Sequence, residues 1–195
     1  WYADELDADD NPTGKRVTTS DYASADYYYV NKSSLPKVYG GFNTSLSWKG
    51  FDLSAIFAYS IGGYIYNRDI TMILHNGSLE GRAWSTEILR RWTPDNRYTD
   101  VPALSTTSNN WNSASTRFLQ NNSYMRLKNL TLSYNLPKPW VSKLALSSVQ
   151  VYVQGDNLFT IHKNQGLDPE QGITGITYYR YPAMRTISGG INIAF

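Results

Sequence analysis

Residues 38–60 read VYGGFNTSLSWKGFDLSAIFAYS, and a change of parity at their centre decides the fold. Before Lys49 the even positions Val38, Phe42, Leu46 and Trp48 share a side with Gly40 and Thr44, while Tyr39, Gly41, Asn43, Ser45 and Ser47 take the other. After Gly50 the apolar parity is odd: Phe51, Leu53, Ala55, Phe57 and Tyr59 alternate with Asp52, Ser54, Ala58 and Ser60, interrupted only by Ile56. Period two marks strands. A two-residue turn at Lys49-Gly50 makes Trp48 and Phe51 cross-strand neighbours on one face, which is what a tight hairpin requires.

Three further strands follow the same logic. In SYMRLKNLTLSYNLP (123–137) Leu130, Leu132, Tyr134 and Leu136 alternate with Thr131, Ser133 and Asn135. Met125 and Leu127 lie on the other parity, which reads as a bulge or as strand that has left the apolar slab. In SSVQVYVQGDNLF Val149, Val151 and Val153 oppose Gln150, Tyr152 and Gln154. The stretch RTISGGINIAF (185–195) sets Ile187, Gly189, Ile191, Ile193 and Phe195 against Ser188, Gly190, Asn192 and Ala194. Strands are therefore predicted near 38–48, 51–60, 124–136, 148–158 and 184–195.

The connections sort into two kinds. Lys49-Gly50 and the link from Pro137 to Leu146 are short, whereas 1–36, 61–123 and 160–182 are long. In an up-and-down meander all the short links fall at one end and all the long ones at the other. Outer-membrane barrels have this asymmetry, with short periplasmic turns, long extracellular loops, an apolar lipid face and a polar interior. Trp48, Phe51 and Trp140 then belong to the aromatic girdle at the periplasmic rim. Five strands cannot close such a barrel, since bacterial ones begin at about eight and an open edge in lipid leaves backbone groups unsatisfied. The expected fold class is all-β: about five C-terminal strands of a large transmembrane antiparallel β-barrel, with long extracellular loops, one containing a short helix. The whole of 1–195 is then one part of a larger barrel.

Composition narrows the chemistry. A net charge of +2 argues against a nucleic-acid partner, and the absence of cysteine excludes disulfides and thiolate metal sites. No run of about 18 apolar residues is present, and the first residues, WYADELDADD, are acidic where a signal peptide is basic. Sixteen tyrosines and six tryptophans in a polar chain suit water–oil boundaries, and they equally suit faces that stack on sugars or peptides.

The chain resembles the SusC/RagA group of TonB-dependent outer-membrane transporters. The likeness rests on LPKVYGGFNTSLSWKGFDLSAIFAYSIGGYIYN, on RRWTPDN followed by VPAL, on RFLQNNSYMRLKNLTLSYNLPK, on VQVYVQGDNLFTI, on GLDPE and on GGINIAF, in that order. It implies a barrel of 22 strands filled by an N-terminal plug, energised by TonB, capped by a SusD-like lipoprotein and importing glycan or peptide oligomers. The implied partners are that lipoprotein, TonB, outer-membrane lipid, the rest of the same barrel, and oligosaccharide or peptide cargo. The implied location is the outer membrane of a Gram-negative bacterium of the Bacteroidetes type. Plug and TonB box match nothing in these residues. The resemblance also makes Phe195, an aromatic on the lipid-facing parity, the barrel assembly signal.

Candidate contacts with cargo or lid are the loop aromatics Trp84, Trp92, Trp111, Tyr178, Tyr179 and Tyr181. In AWSTEILRRW the spacing of Trp84, Ile88 and Trp92 predicts a short helix that stacks them at i and i+4. Asp7, Asp9 and Asn11 have the spacing of early calcium-loop ligands, but Pro12 and Thr18 stand where Gly and Glu are required, so a solvated acidic loop is expected. His75 and His162 are the only histidines and lie far apart, with no nucleophile signature around them. No catalytic group, metal or cofactor is predicted. The rival reading is a soluble all-β carbohydrate-binding module, which would be monodisperse in plain buffer.

Overall fold

The computed structural model describes residues 1–77, 79–105, 110–164, 166–170, 174–177 and 179–195. Lys49 and Gly50 both take positive φ, 48° and 88°. This is the turn whose twist matches that of the flanking strands, and it joins β3 (Val38–Trp48) to β4 (Phe51–Ile61) with Trp48 opposite Phe51. At position 50 a Cβ would also meet the Asn135 carbonyl oxygen at 3.1 Å, so glycine is required twice over.

These strands belong to an antiparallel sheet of five, ordered β3-β4-β7-β8-β9, where β7 is Tyr124–Asn135, β8 is Ser148–His162 and β9 is Thr186–Ala194. The register carries one apolar face across all of them. One row passes from Leu46 to Leu53, Leu132, Val153 and Gly189, and another from Trp48 through Phe51, Tyr134 and Val151 to Ile191. Phe42 stacks on Phe57 at 4.8 Å, and Phe51 lies 4.5 Å from Tyr134. Residues on this face are exposed: Leu46 is 66 % exposed, Ile187 72 % and Ile191 62 %. A contiguous apolar surface of this extent marks an interaction with membrane or protein.

The parity change in β7 is a bulge. Ile56 pairs Asn129 and Phe57 pairs Leu127, so Lys128 is the extra residue and Leu127 and Met125 return to the apolar face. Strand β8 answers with two residues between Asp156 and Phe159, Asn157 taking a φ of 52°. The strand predicted near 148–158 is thus locally irregular at Asn157 and Leu158, and β8 continues to His162 with Phe159 and Ile161 opposite Leu127 and Met125.

The reverse face is polar and hydrogen-bonded from edge to edge. Asn192 donates to Gln150 (3.2 Å), Gln150 to Asn135 (3.1 Å) and Asn135 to Asp52 (2.6 Å), while Ser47 donates to Asp52 from the other side (2.5 Å). Each amide aligns the next, and the chain ends on a carboxylate. The sheet forms most of one compact unit, Ser33–Ile65, Asn121–Gly175 and Arg180–Phe195. The link after β7 folds as a short helix α2 (Lys138–Val141) and a 3-10 turn, with Trp140 exposed.

The second unit comprises Trp1–Lys32, Tyr66–Gln120 and Ile176–Tyr179. Residues 1–36, expected as loop, contain a hairpin of β1 (Tyr2–Leu6) and β2 (Pro12–Thr18). Its strands bury no apolar face, so periodicity does not reveal them. The stretch 61–123 is likewise more structured than a loop, holding the short strands β5 (Tyr64–Tyr66) and β6 (Leu119–Asn121) and helix α1 (Arg68–Ile73). Asn67 caps α1 by accepting from the Ile70 N–H at 3.1 Å, and Ile70 and Leu74 close on Phe118 and Tyr66 as this unit's apolar core.

Candidate functional site

Within this second unit, β2, the segment Tyr22–Val30 and the segment Trp111–Arg117 enclose an open groove of about 620 Å3. Its rings are Trp1, Tyr2, Tyr22, Tyr27, Tyr28 and Trp111. Two of them carry a guanidinium, Arg16 lying 3.8 Å above Tyr28 and Arg117 3.9 Å above Trp111. The polar groups are already placed: the Tyr28 hydroxyl donates to Asp4 at 2.8 Å, and the Asp4 N–H donates to Asp26 at 2.7 Å. Trp111 is anchored by its indole N–H, which donates to the Leu74 carbonyl, and Arg117 pairs with Asp100 at 3.5 Å. Tyr28 and Trp111, held by these hydrogen bonds, can stack on planar or apolar parts of a solute at small entropic cost.

The other candidates do not join this groove. The 3-10 helix spans Thr86–Arg90, capped by extended Ser85, so Trp84 and Trp92 lie outside it and the expected i, i+4 stack is absent. Trp84 instead donates its indole N–H to Nδ1 of buried His75 at 2.9 Å. Trp92 is held through its backbone N–H to Val101 and leaves its ring partly exposed. Tyr179 donates its backbone N–H to the Asp69 carboxylate at 3.0 Å, and Tyr181 is 97 % exposed. Tyr178 lies outside the described residues. Phe195 follows β9 on the apolar parity and is exposed.

The acidic loop Asp7–Asn11 is a hairpin turn. Asp7 Oδ1 accepts the N–H groups of Asp9 and Asn11, both at 2.9 Å, and those of Asn11 and Asp9 hold its carboxyl below the usual carboxylate range. Among the described residues no three His, Cys, Asp or Glu side chains group as a metal site.

His75 predicts a pH response. Its Nδ1 is an acceptor, so the ring is neutral, and burial pushes its pKa down. The folded unit is therefore at full strength above about pH 6.5, the value for a free histidine, and weakens below it because the unfolded chain takes up the proton first. Acidification from pH 7.5 to 5 is expected to lower the hydrogen-exchange protection factors, corrected for the intrinsic rate at each pH, around residues 74–88, and His75→Gln to remove the His75-linked part of that change.

The sheet unit contains a cluster that sequence reading missed. Arg126, on the polar face of β7 and 3 % exposed, donates to Thr160 (2.8 Å), to Glu170 (2.7 Å) and to Asp168. Lys128 reaches Glu170 at 2.7 Å. Asp168 also accepts the N–H groups of Glu170 (2.9 Å) and Ala183 (2.7 Å). Burial raises its pKa, but the bonds from Ala183, Arg126 and Glu170 outweigh burial and hold it below the ordinary value. Asp168 and Glu170 sit within the GLDPE motif, yet nothing local links them to an arginine more than forty residues earlier.

Comparison with known proteins bears on both units. No family model matches the chain. Residues covering 97 % of it are 34 % identical to TonB-dependent receptor P3 of Formosa agariphila, over 20 % of that protein. TonB-dependent receptor SusC of Bacteroides thetaiotaomicron is 27 % identical over 86 % of the chain and 16 % of its own length. The solved RagAB peptide importer in its 'closed-closed' state superposes with a TM-score of 0.80 at 35 % identity, covering all of this chain and 21 % of that one. The chain belongs to the SusC/RagA family of TonB-dependent outer-membrane receptors.

It spans about a fifth of the length of the TonB-dependent receptors P3 and P26 that it matches. As a stretch of a SusC/RagA barrel, its bare apolar face has a physical explanation: the strands are made to meet lipid. The same membership sets aside the soluble carbohydrate-binding module. These relatives are receptors and transporters and not enzymes.

Proposed function

We propose that this chain forms part of the wall and of the extracellular loops of an outer-membrane importer of oligomeric nutrients, glycans or peptides, energised by TonB and working with a SusD-like surface lipoprotein. One observation carries the reading: a single sheet with one mainly apolar face and a reverse face whose side chains are hydrogen-bonded across all five strands. The first suits hydrocarbon and the second suits a hydrated interior. The long connections, including the ring-lined groove, then lie outside the cell, where Trp84, Trp92, Trp111, Tyr178, Tyr179 and Tyr181 meet cargo or lid. TonB would act through parts of the protein beyond these residues.

Thiol labelling tests the wall. Leu53 and Ser54 are consecutive in β4 and face opposite sides, and the stretch has no native cysteine to interfere. In the assembled full-length protein, Ser54→Cys is expected to react with a membrane-impermeant reagent and Leu53→Cys to stay unlabelled. The opposite result would invert the sheet and end the proposal.

A further inference from the structure

The connection between β8 and β9 leaves the sheet at His162 and returns at Thr186, and both of its ends are tied down. On the outgoing side Asn122 donates to the Pro169 carbonyl at 2.9 Å, and Asn164 donates to Asn122 at 2.7 Å. On the return side Asn157 donates to the Met184 carbonyl at 3.2 Å. Between them Asp168 Oδ2 accepts the Ala183 N–H, so one carboxylate closes the base of the excursion. The other oxygen of that carboxylate is held by Arg126.

We propose that Arg126 is a positioning residue whose guanidinium clasps the base of this connection, Asp168 and Glu170 with Ala183 tied to them, to the polar face of the sheet, so that this base is a fixed strap along the transport path and not the hinge of a swinging lid. Three nitrogens of one planar fork reach three acceptors, on β8 and on two strap residues. An ammonium group offers a point charge and no such fork, so lysine keeps the charge but loses the geometry. The pair is also buried, with Arg126 and Asp168 side chains 4 % and 6 % exposed, so salt screens it little. Lys128 and Glu170 sit at the more open rim of the cluster and add less. A lid needs a free end or a slack hinge, and the strap has neither at its base. It carries Tyr181 out into solvent on that rigid footing.

That the strap lines a transport path rests on the importer reading; that it is clasped does not. The experiment places spin labels at positions 181 and 49 of the full-length transporter, both in the sheet unit, and measures their separation in molecules shown to be assembled by heat-modifiable gel mobility. The unsubstituted protein is expected to give one narrow distance population. Arg126→Lys should broaden or split it with no change in the amount assembled, and Lys128→Ala should leave it narrow. Two populations in the unsubstituted protein would reveal a swinging lid, and an unchanged narrow population in Arg126→Lys would remove the role of Arg126; either overturns the proposal. An impermeant reagent applied to intact cells should label Tyr181→Cys. If it does not, while the distances behave as stated, the clasp stands and the outward-facing reading falls.

Discussion

Arginine at Ile191 is expected to cost about 2–4 kcal/mol if the site lies near the bilayer midplane, and to deplete assembled transporter from the outer membrane. Ile191 lies in β9 opposite Val151, on the face shared by Leu53, Leu132 and Val153, and its side chain is exposed. A guanidinium there must be dragged out of hydrocarbon or must draw water in. Asn192 is one residue away and points to the opposite face, where its amide donates to Gln150. Arginine at 192 loses that bond but keeps its charge on the polar side, so its cost is that of one exposed hydrogen bond, on the order of 1 kcal/mol. Outer-membrane abundance of the full-length protein carrying each change separates the two. Equal tolerance at 191 and 192 would mean that β9 does not face lipid.

The second large effect belongs to the other unit. Phe118 is 1 % exposed and packs its ring edge-on to Tyr66, with centroids 6.2 Å apart, against Ile70 and Leu74 of the α1 segment. Phe118→Ala removes the centre of that small core and is expected to cost about 3–5 kcal/mol locally. The cluster has few other apolar members, so neighbours cannot collapse into the gap. Trp111 depends on the same place, because its indole N–H is held by the Leu74 carbonyl. The variant should therefore show fast hydrogen exchange and rapid proteolysis within residues 66–120, while the barrel still assembles, since the sheet strands belong to the other unit. Wild-type exchange rates across 66–120 in Phe118→Ala would show that this core does not hold the unit together.

The strands were legible because a half-buried sheet writes its two faces into alternate residues. Residues 38–60 carried the hairpin, its register and the sidedness of Leu53 and Ser54 by their pattern alone. The bulge at Lys128 was visible as a parity break, though the sequence allowed a departing strand equally well; only the pairing of Phe57 with Leu127 decided it. The hairpin at Tyr2–Thr18 left no trace in the pattern, because strands exposed on both faces place no demand on side-chain polarity. Trp84 and Trp92 had the spacing of a helical stack, but Ser85 in an extended conformation begins the helix after Trp84, and His75 offers the indole a better partner.

Sites followed the same division. Trp111 is a candidate contact by its type and its loop, whereas the rings beside it, Tyr22 and Tyr28, and the arginines stacked on Tyr28 and Trp111, are neighbours through folding alone. Arg126 and Asp168 are forty-two residues apart in sequence, and a charged residue within a strand reads the same whether it faces water or a buried carboxylate. By itself the sequence determined the sheet, its apolar face and the membership of a membrane-barrel family, because those depend on period and order along the chain. Tertiary structure decided the groove and the clasp, because the energy of a ring on a cation or of a buried ion pair depends on distances across space that no local pattern records.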